Sequence, residues 1–123
     1  MKSYNIDFKT SDSVRVKSGV KCHGYESLCI EDWRGRIKQI TATKKYDMLV
    51  EIEWDSITLL DMPVDFIKHC EDNELEFGCM FLEPDEIEIA SKRDTKADVA
   101  KITKKIAHDY IQKWEKEKNC DIQ

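Results

Sequence analysis

Apolar and charged residues alternate in two stretches that set the reading of the whole chain. In Leu49-Val50-Glu51-Ile52-Glu53-Trp54-Asp55, residues Val50, Ile52 and Trp54 share one face and the three acids share the other. That period of two is what a half-buried strand requires. Asp32-Trp33-Arg34-Gly35-Arg36-Ile37 answers it, and together they predict two strands of a small β-barrel joined by a polar hairpin from Thr41 to Asp47. The earlier strand runs from about Trp33 to Ile40, and Gly35 inside it predicts a bulge or a close backbone approach. Arg34, Arg36 and Lys38 alternate so as to meet Glu51, Glu53 and Asp55 across the ladder, each pair being worth about 0.2–1 kcal/mol.

The same alternation in Ser13-Val14-Arg15-Val16-Lys17 predicts a first strand, ended by Ser18-Gly19. Residues 20–31 then read as a long loop anchored by Tyr25 and Leu28. Ile57-Thr58-Leu59-Leu60 is expected to continue as a short strand, Phe77 to Leu82 as an extended segment stopped by Pro84, and Ile87-Glu88-Ile89 as the strand that closes the barrel. Two helices interrupt this pattern. One covers about Met62 to Glu71, with Pro63 in its first turn, Asp61 as cap and Phe66, Ile67 and Cys70 as its apolar stripe. The other starts at Thr95, with Asp94 or Thr95 as cap and Thr95-x-x-Asp98 approximating a capping box. Val99, Ile102, Ile106, Tyr110 and Trp114 recur along it at three- and four-residue steps, a stripe suited to lie on the barrel or to meet a second copy. Residues 115–123 are expected to fray. The fold class is therefore α+β, mainly β with helices: a polar arm over 1–11 (with Ile6 and Phe8 as candidate anchors), a barrel over 12–90, and a C-terminal helix over 91–123.

Composition adds a charge pattern. The net charge is −5, but residues 1–45 hold 10 Lys/Arg against 5 Asp/Glu, residues 46–90 hold 1 against 14, and residues 91–123 hold 9 against 6. An acidic middle argues against nucleic acid wrapping the whole domain, since phosphate binding needs a continuous basic surface. No apolar run approaches a membrane span, and the first residues show no export signal, so the cytoplasm is the expected compartment. The five cysteines are then expected as free thiols.

Val14-Arg15-Val16-Lys17, Trp33-Arg34-Gly35-Arg36-Ile37, Ile52-Glu53-Trp54-Asp55-Ser56-Ile57-Thr58-Leu59, Met62-Pro63, Phe66-Ile67, Cys70-Glu71 and Arg93-Asp94-Thr95 carry a resemblance to a family. The chain resembles, over about residues 12–114, a group of small uncharacterised microbial proteins sometimes labelled calcium-binding. Glu-Trp-Asp-Ser-Ile-Thr-Leu is the most specific string. The resemblance implies an SH3-like small β-barrel with a short inserted helix and a C-terminal helix. It implies no reaction and no residue roles.

Candidate chemistry is thin. Nothing fits an EF-hand loop; Glu83-Pro84-Asp85-Glu86-Ile87-Glu88 could at most hold a divalent cation weakly. Cys22-His23, Cys29, His69-Cys70 and Cys79 supply zinc-ligand types at spacings that match no zinc finger or ribbon. No nucleophile elbow or phosphate-binding glycine loop occurs. The expectation is a non-enzymatic binding module without cofactors, monomeric or weakly dimeric, engaging a protein partner at the barrel mouth. Tyr25, Trp33 and Tyr46 would supply aromatic surface, Trp33 having a core position as its alternative and Trp54 being expected in the core, and Glu53 and Asp55 would draw in a cationic ligand. The alternative is nucleic-acid binding through Arg15, Lys17, Arg34, Arg36, Lys38, Lys44 and Lys45.

Overall fold

The long antiparallel ladder between β4 (Arg34–Thr41) and β5 (Leu49–Trp54) forms the middle of the molecule. Around it the computed structural model describes residues 8–45 and 48–120, except the side chains of Tyr110, Ile111 and residues 113–120. The other elements are β1 (Ser13–Val16), β2 (Lys21–Cys22), β3 (Tyr25–Cys29), α1 (Ser56–Asp61), α2 (Val64–Asp72), β6 (Cys79–Leu82), a 3-10 turn (Pro84–Glu86), β7 (Ile87–Ile89) and α3 (Lys96–Cys120). Five strands make one antiparallel sheet in the order β6-β5-β4-β1-β7, and β2 and β3 make a separate hairpin. The fold is thus α+β. The sheet is open: β7 pairs with β1 and not with β6, so it extends one edge rather than closing the ring expected of it.

Val50, Ile52 and Trp54 are fully buried, and with Val14, Val16, Ile37, Leu82 and Ile87 they give the inner face of the sheet. Phe66, Ile67 and Cys70 of α2 and Leu59 of α1 cover that core. Phe8 packs at its margin, while Ile6 lies outside the described residues. Val99, Ile102 and Ile106 bring the first turns of α3 against it. The helix continues to Cys120, past the point where fraying was expected.

Gly35 is needed for close approach, since a Cβ there would lie 2.2 Å from the Glu53 carbonyl oxygen and 2.8 Å from Ile52 Cγ2. The bulge falls farther on, between Ile37 and Gln39. The segment 20–31 is not a loop but the β2–β3 hairpin, which turns at His23-Gly24 with Gly24 at φ +82°.

Ile57 to Leu60 is a helix, not a strand. Asp55 leaves the β5 pattern and becomes the N-cap of α1, its Oδ1 accepting from the Thr58 N–H at 2.8 Å. One orphan amide satisfied in this way starts a turn that β-branched residues would otherwise disfavour. Nor does Asp61 cap α2: Pro63 is its N-cap residue and no side chain caps it. Thr95 and Asp98 do form the reciprocal cap of α3.

Asp94 is instead drawn inward. Arg36 Nη2 donates to its carboxylate and to its carbonyl oxygen, and the Ser56 N–H donates to Asp94 Oδ2 at 2.6 Å. Beside it Arg93 grips Asp55 with both Nε and Nη2, each at 2.9 Å, and its Nη2 also reaches Thr58 Oγ1. Two ion pairs therefore join β4, the start of α1 and the approach to α3. Arg36 faces Glu53 in register, yet its guanidinium pairs with Asp94, so the cross-strand pairing expected of it does not form.

Burial pushes the Asp94 carboxyl up, but Ser56 and Arg36 outweigh it and hold the group below its ordinary value. Gly35→Ala should lose about 3 kcal/mol in chemical denaturation, because backbone on the neighbouring strand cannot move away; Gly24→Ala, strained but unobstructed, should lose only about 1–2 kcal/mol. Asp94→Asn should lose about 3 kcal/mol at pH 7 by leaving Arg36 buried and unpaired. A depressed carboxyl stabilises above its unfolded pKa, so this gap should close as pH falls below about 4.

Candidate functional site

Three separate parts of the chain meet in an open groove of about 560 Å³. The β2–β3 hairpin contributes Tyr25, α2 contributes Phe66 and His69, and β6 contributes Cys79, Met80 and Phe81. Tyr25 stacks on the His69 ring at 4.4 Å and lies 5.9 Å from Phe66, which makes one wall a continuous aromatic surface. The hairpin tip is tied down by the 3-10 turn: His23 Nε2 lies 3.0 and 3.1 Å from the two oxygens of Glu86.

The charged rim is one-sided. Glu51, Glu74 and Glu76 border the groove, and Lys38 is the lysine among its lining residues. Cys79 first, then Glu51, holds the exposed Lys38 ammonium above its ordinary value, with Glu76 and Glu53 adding to this. Glu53 and Glu71 extend the acidic surface around the adjoining hollow near Phe77 and Gly78.

How α2 ends explains where these acids stand. The helix closes in a Schellman motif, with the Leu75 N–H on the Cys70 carbonyl at 2.7 Å and the Glu74 N–H on the Glu71 carbonyl at 3.3 Å. This motif needs a left-handed residue, normally glycine. Here the position is Glu74, at φ +57°. The chain accepts that strain and gains an acid followed by an exposed leucine, Leu75, at the groove.

Burial raises the thiols lining the groove: Cys70 and Cys79 are pushed up to about 11, and Cys22 also moves up. A thiol raised in this way is less ready to act as a thiolate nucleophile than an ordinary cysteine. Among the described residues, no three His, Cys, Asp or Glu side chains are placed to hold a metal ion.

The residues singled out from sequence divide. Tyr25 lines the groove, and Glu53 stands in the adjoining acidic hollow. Trp33 makes edge contacts with Trp54 at 5.2 Å and Phe66 at 5.9 Å and opens on a different hollow, beside Ile57 and Arg93. Trp54 is core. Asp55 is 4% exposed and engaged with Arg93, and Arg36 is 7% exposed and engaged with Asp94, so both are framework rather than binding surface. Arg34 sits half-buried in the tight crevice beside them. Tyr46 lies outside the described residues. Phe66, His69, Glu74, Leu75 and Phe81 were missed. Their signal was the acid-rich segment 71–76 followed by an extended stretch, and only the tertiary fold brings it to the hairpin.

A second, smaller groove between α1, α2 and α3 is lined by Leu60, Val64 and Ile106 and has one charge of each sign, Lys105 and Asp109. Its charges select no class of occupant. No helix among the described residues is long and apolar enough to cross a membrane. Searches of family models, curated proteins and solved structures find no match to this chain.

Glu74→Gly should raise stability by about 1 kcal/mol, by relieving the left-handed strain, while removing one rim charge. Denaturation curves of the two proteins check the first part. A loss of stability would mean that Glu74 makes a structural contact worth more than its strain.

Proposed function

We propose that this protein is a non-enzymatic interaction module of SH3-like architecture that binds another protein through the groove beside β6. The sheet order, with the last strand beside the first and a 3-10 turn just before it, supports the SH3-like reading. The α1–α2 segment is then an insertion between two strands. The single observation that carries the binding reading is the groove itself: exposed aromatic and aliphatic surface with an acidic rim, open along its length. Apolar area beneath a polar rim is the ordinary anatomy of a protein-binding surface. The thiols of this groove, raised by burial, favour a binding surface over thiolate chemistry. Four unpaired thiols among the described residues support a reducing compartment, the cytoplasm.

Nucleic-acid binding is less well supported. Of the seven basic residues that would form the interface, Arg15 is paired with Glu88 at 2.9 Å, Arg36 is buried on Asp94, and Lys38 stands among acids. The basic stripe is therefore interrupted by its own counter-charges.

A photo-crosslinking phenylalanine analogue at position 81 should capture a discrete protein in the source cells, whereas the same group at Ile89, exposed on the opposite edge of the sheet, should not. Recovery of RNA or DNA at position 81, or equal capture at both positions, would overturn the proposal.

A further inference from the structure

Among the described residues β6 has one ladder neighbour, β5, and no strand pairs with its other edge. The register shows which groups that edge presents. The Trp54 N–H donates to the Gly78 carbonyl at 2.9 Å, which makes Trp54 and Gly78 a hydrogen-bonded pair directly opposite one another. Antiparallel pairs alternate, so Ile52–Met80 and Val50–Leu82 are hydrogen-bonded pairs, and Glu53–Cys79 and Glu51–Phe81 are not. The backbone N–H and C=O of Cys79 and Phe81 therefore point away from β5. Among the described residues no hydrogen bond engages them.

The groove runs along this edge. Consecutive strand residues point to opposite faces, yet Cys79, Met80 and Phe81 all line it. Lining residues also come from both faces of the sheet: Glu51 and Lys38 from the outer face, Phe66 and Cys70 from the core side. A surface reached from both faces of a strand is its edge. Phe81 is 50% exposed and Leu75 55% exposed, and both line the groove as apolar anchors.

Resting on the binding role proposed above, we infer that the partner enters as an extended, basic segment that adds a strand to β6. Backbone bonds to Cys79 and Phe81 would supply affinity, and alternate side chains would supply specificity. Charge selects this occupant. The rim offers Glu51, Glu74 and Glu76 against Lys38, and the region 46–90 as a whole has one lysine against 14 acids. A second copy is disfavoured by the same charges, because pairing two β6 edges would bring two acidic rims together. An open edge is a standing risk of self-association, and charge beside it is one of the usual defences.

The test uses the whole protein and an acetylated, amidated peptide of sequence Lys-Val-Lys-Val-Lys-Val-Lys, with Glu-Val-Glu-Val-Glu-Val-Glu as its control. The lysine peptide should slow hydrogen exchange at the Cys79 and Phe81 amides at least tenfold, and the glutamate peptide should leave it unchanged. Phe81→Pro removes an outward N–H while sparing the ladder to β5, and it should weaken peptide binding at least tenfold. The Glu74→Lys, Glu76→Lys double variant, which alters no backbone, should do the same and does not depend on the proline variant folding. Binding that survives in Phe81→Pro but fails in the charge variant would overturn strand addition while leaving a basic ligand in the groove. Absence of lysine-peptide binding, with a protein still captured at position 81, would overturn this inference alone. Protection of both amides in the free protein that grows with its concentration would make the occupant a second copy, and would also overturn it.

Discussion

The paired arginines and aspartates at the junction of β4, α1 and α3 tie the helices to the sheet. Arg36 and Asp94 are nearly out of water, with side chains 8% and 5% exposed. The cost of stripping two ions of solvent is several kcal/mol each, and their attraction offsets it only if their remaining hydrogen-bonding capacity is also met. For Asp94 it is, because one oxygen takes Arg36 and the other takes the Ser56 amide. For Arg36 it is less complete, since Nη1 has no partner among the described residues. Such a pair adds little net stability, but it is specific. Only one placement of the chain after β7 brings Asp94 to Arg36 and Arg93 to Asp55, so the network fixes where α3 begins and which part of the molecule it covers.

The same network decides the course of the chain after β5. Asp55 continues an alternating pattern and is followed by Ile57 and Thr58, residues with good strand propensity. What turns the chain is the carboxylate of Asp55, which caps Thr58 while held by Arg93, and the carboxylate of Asp94, which takes up the Ser56 amide. Two of the four orphan amides at the helix start are thereby satisfied. A local pattern lost to contacts 38 residues away.

Periodicity identified β1, β4, β5 and the buried stripe of α2, and the Thr95-x-x-Asp98 motif pointed to the reciprocal cap of α3, because each depends on side chains within a few residues of one another. Reading Glu53 and Asp55 as equivalent acids failed, since alternation cannot say which acid has a distant arginine. The groove was illegible for the same reason. Tyr25, His69, Glu74 and Phe81 come from a hairpin, a helix, its cap and an edge strand, and no spacing links them. Gly35 was legible as a close approach because glycine weakens a strand interior and is kept there where a side chain would not fit. The bulge near Lys38, by contrast, left no residue signature at all.

The charge asymmetry takes on meaning only when set against the fold. On the β1–β7 side, Arg15 meets Glu88 in an ion pair across the ladder. On the β6 side Glu51, Glu74 and Glu76 outnumber Lys38, and among the described residues the outer backbone groups of β6 have no partner. Local stability is lowest where backbone hydrogen bonds and packing are fewest, and here that region also contains a left-handed glutamate where glycine would relieve strain. A chain optimised only for stability would have glycine at position 74 and a basic residue or proline along β6. Retaining the acid, the strain and the open edge together makes sense if this side of the molecule is completed by something it binds, while the ion-pair network holds the other elements in the geometry that keeps the edge exposed.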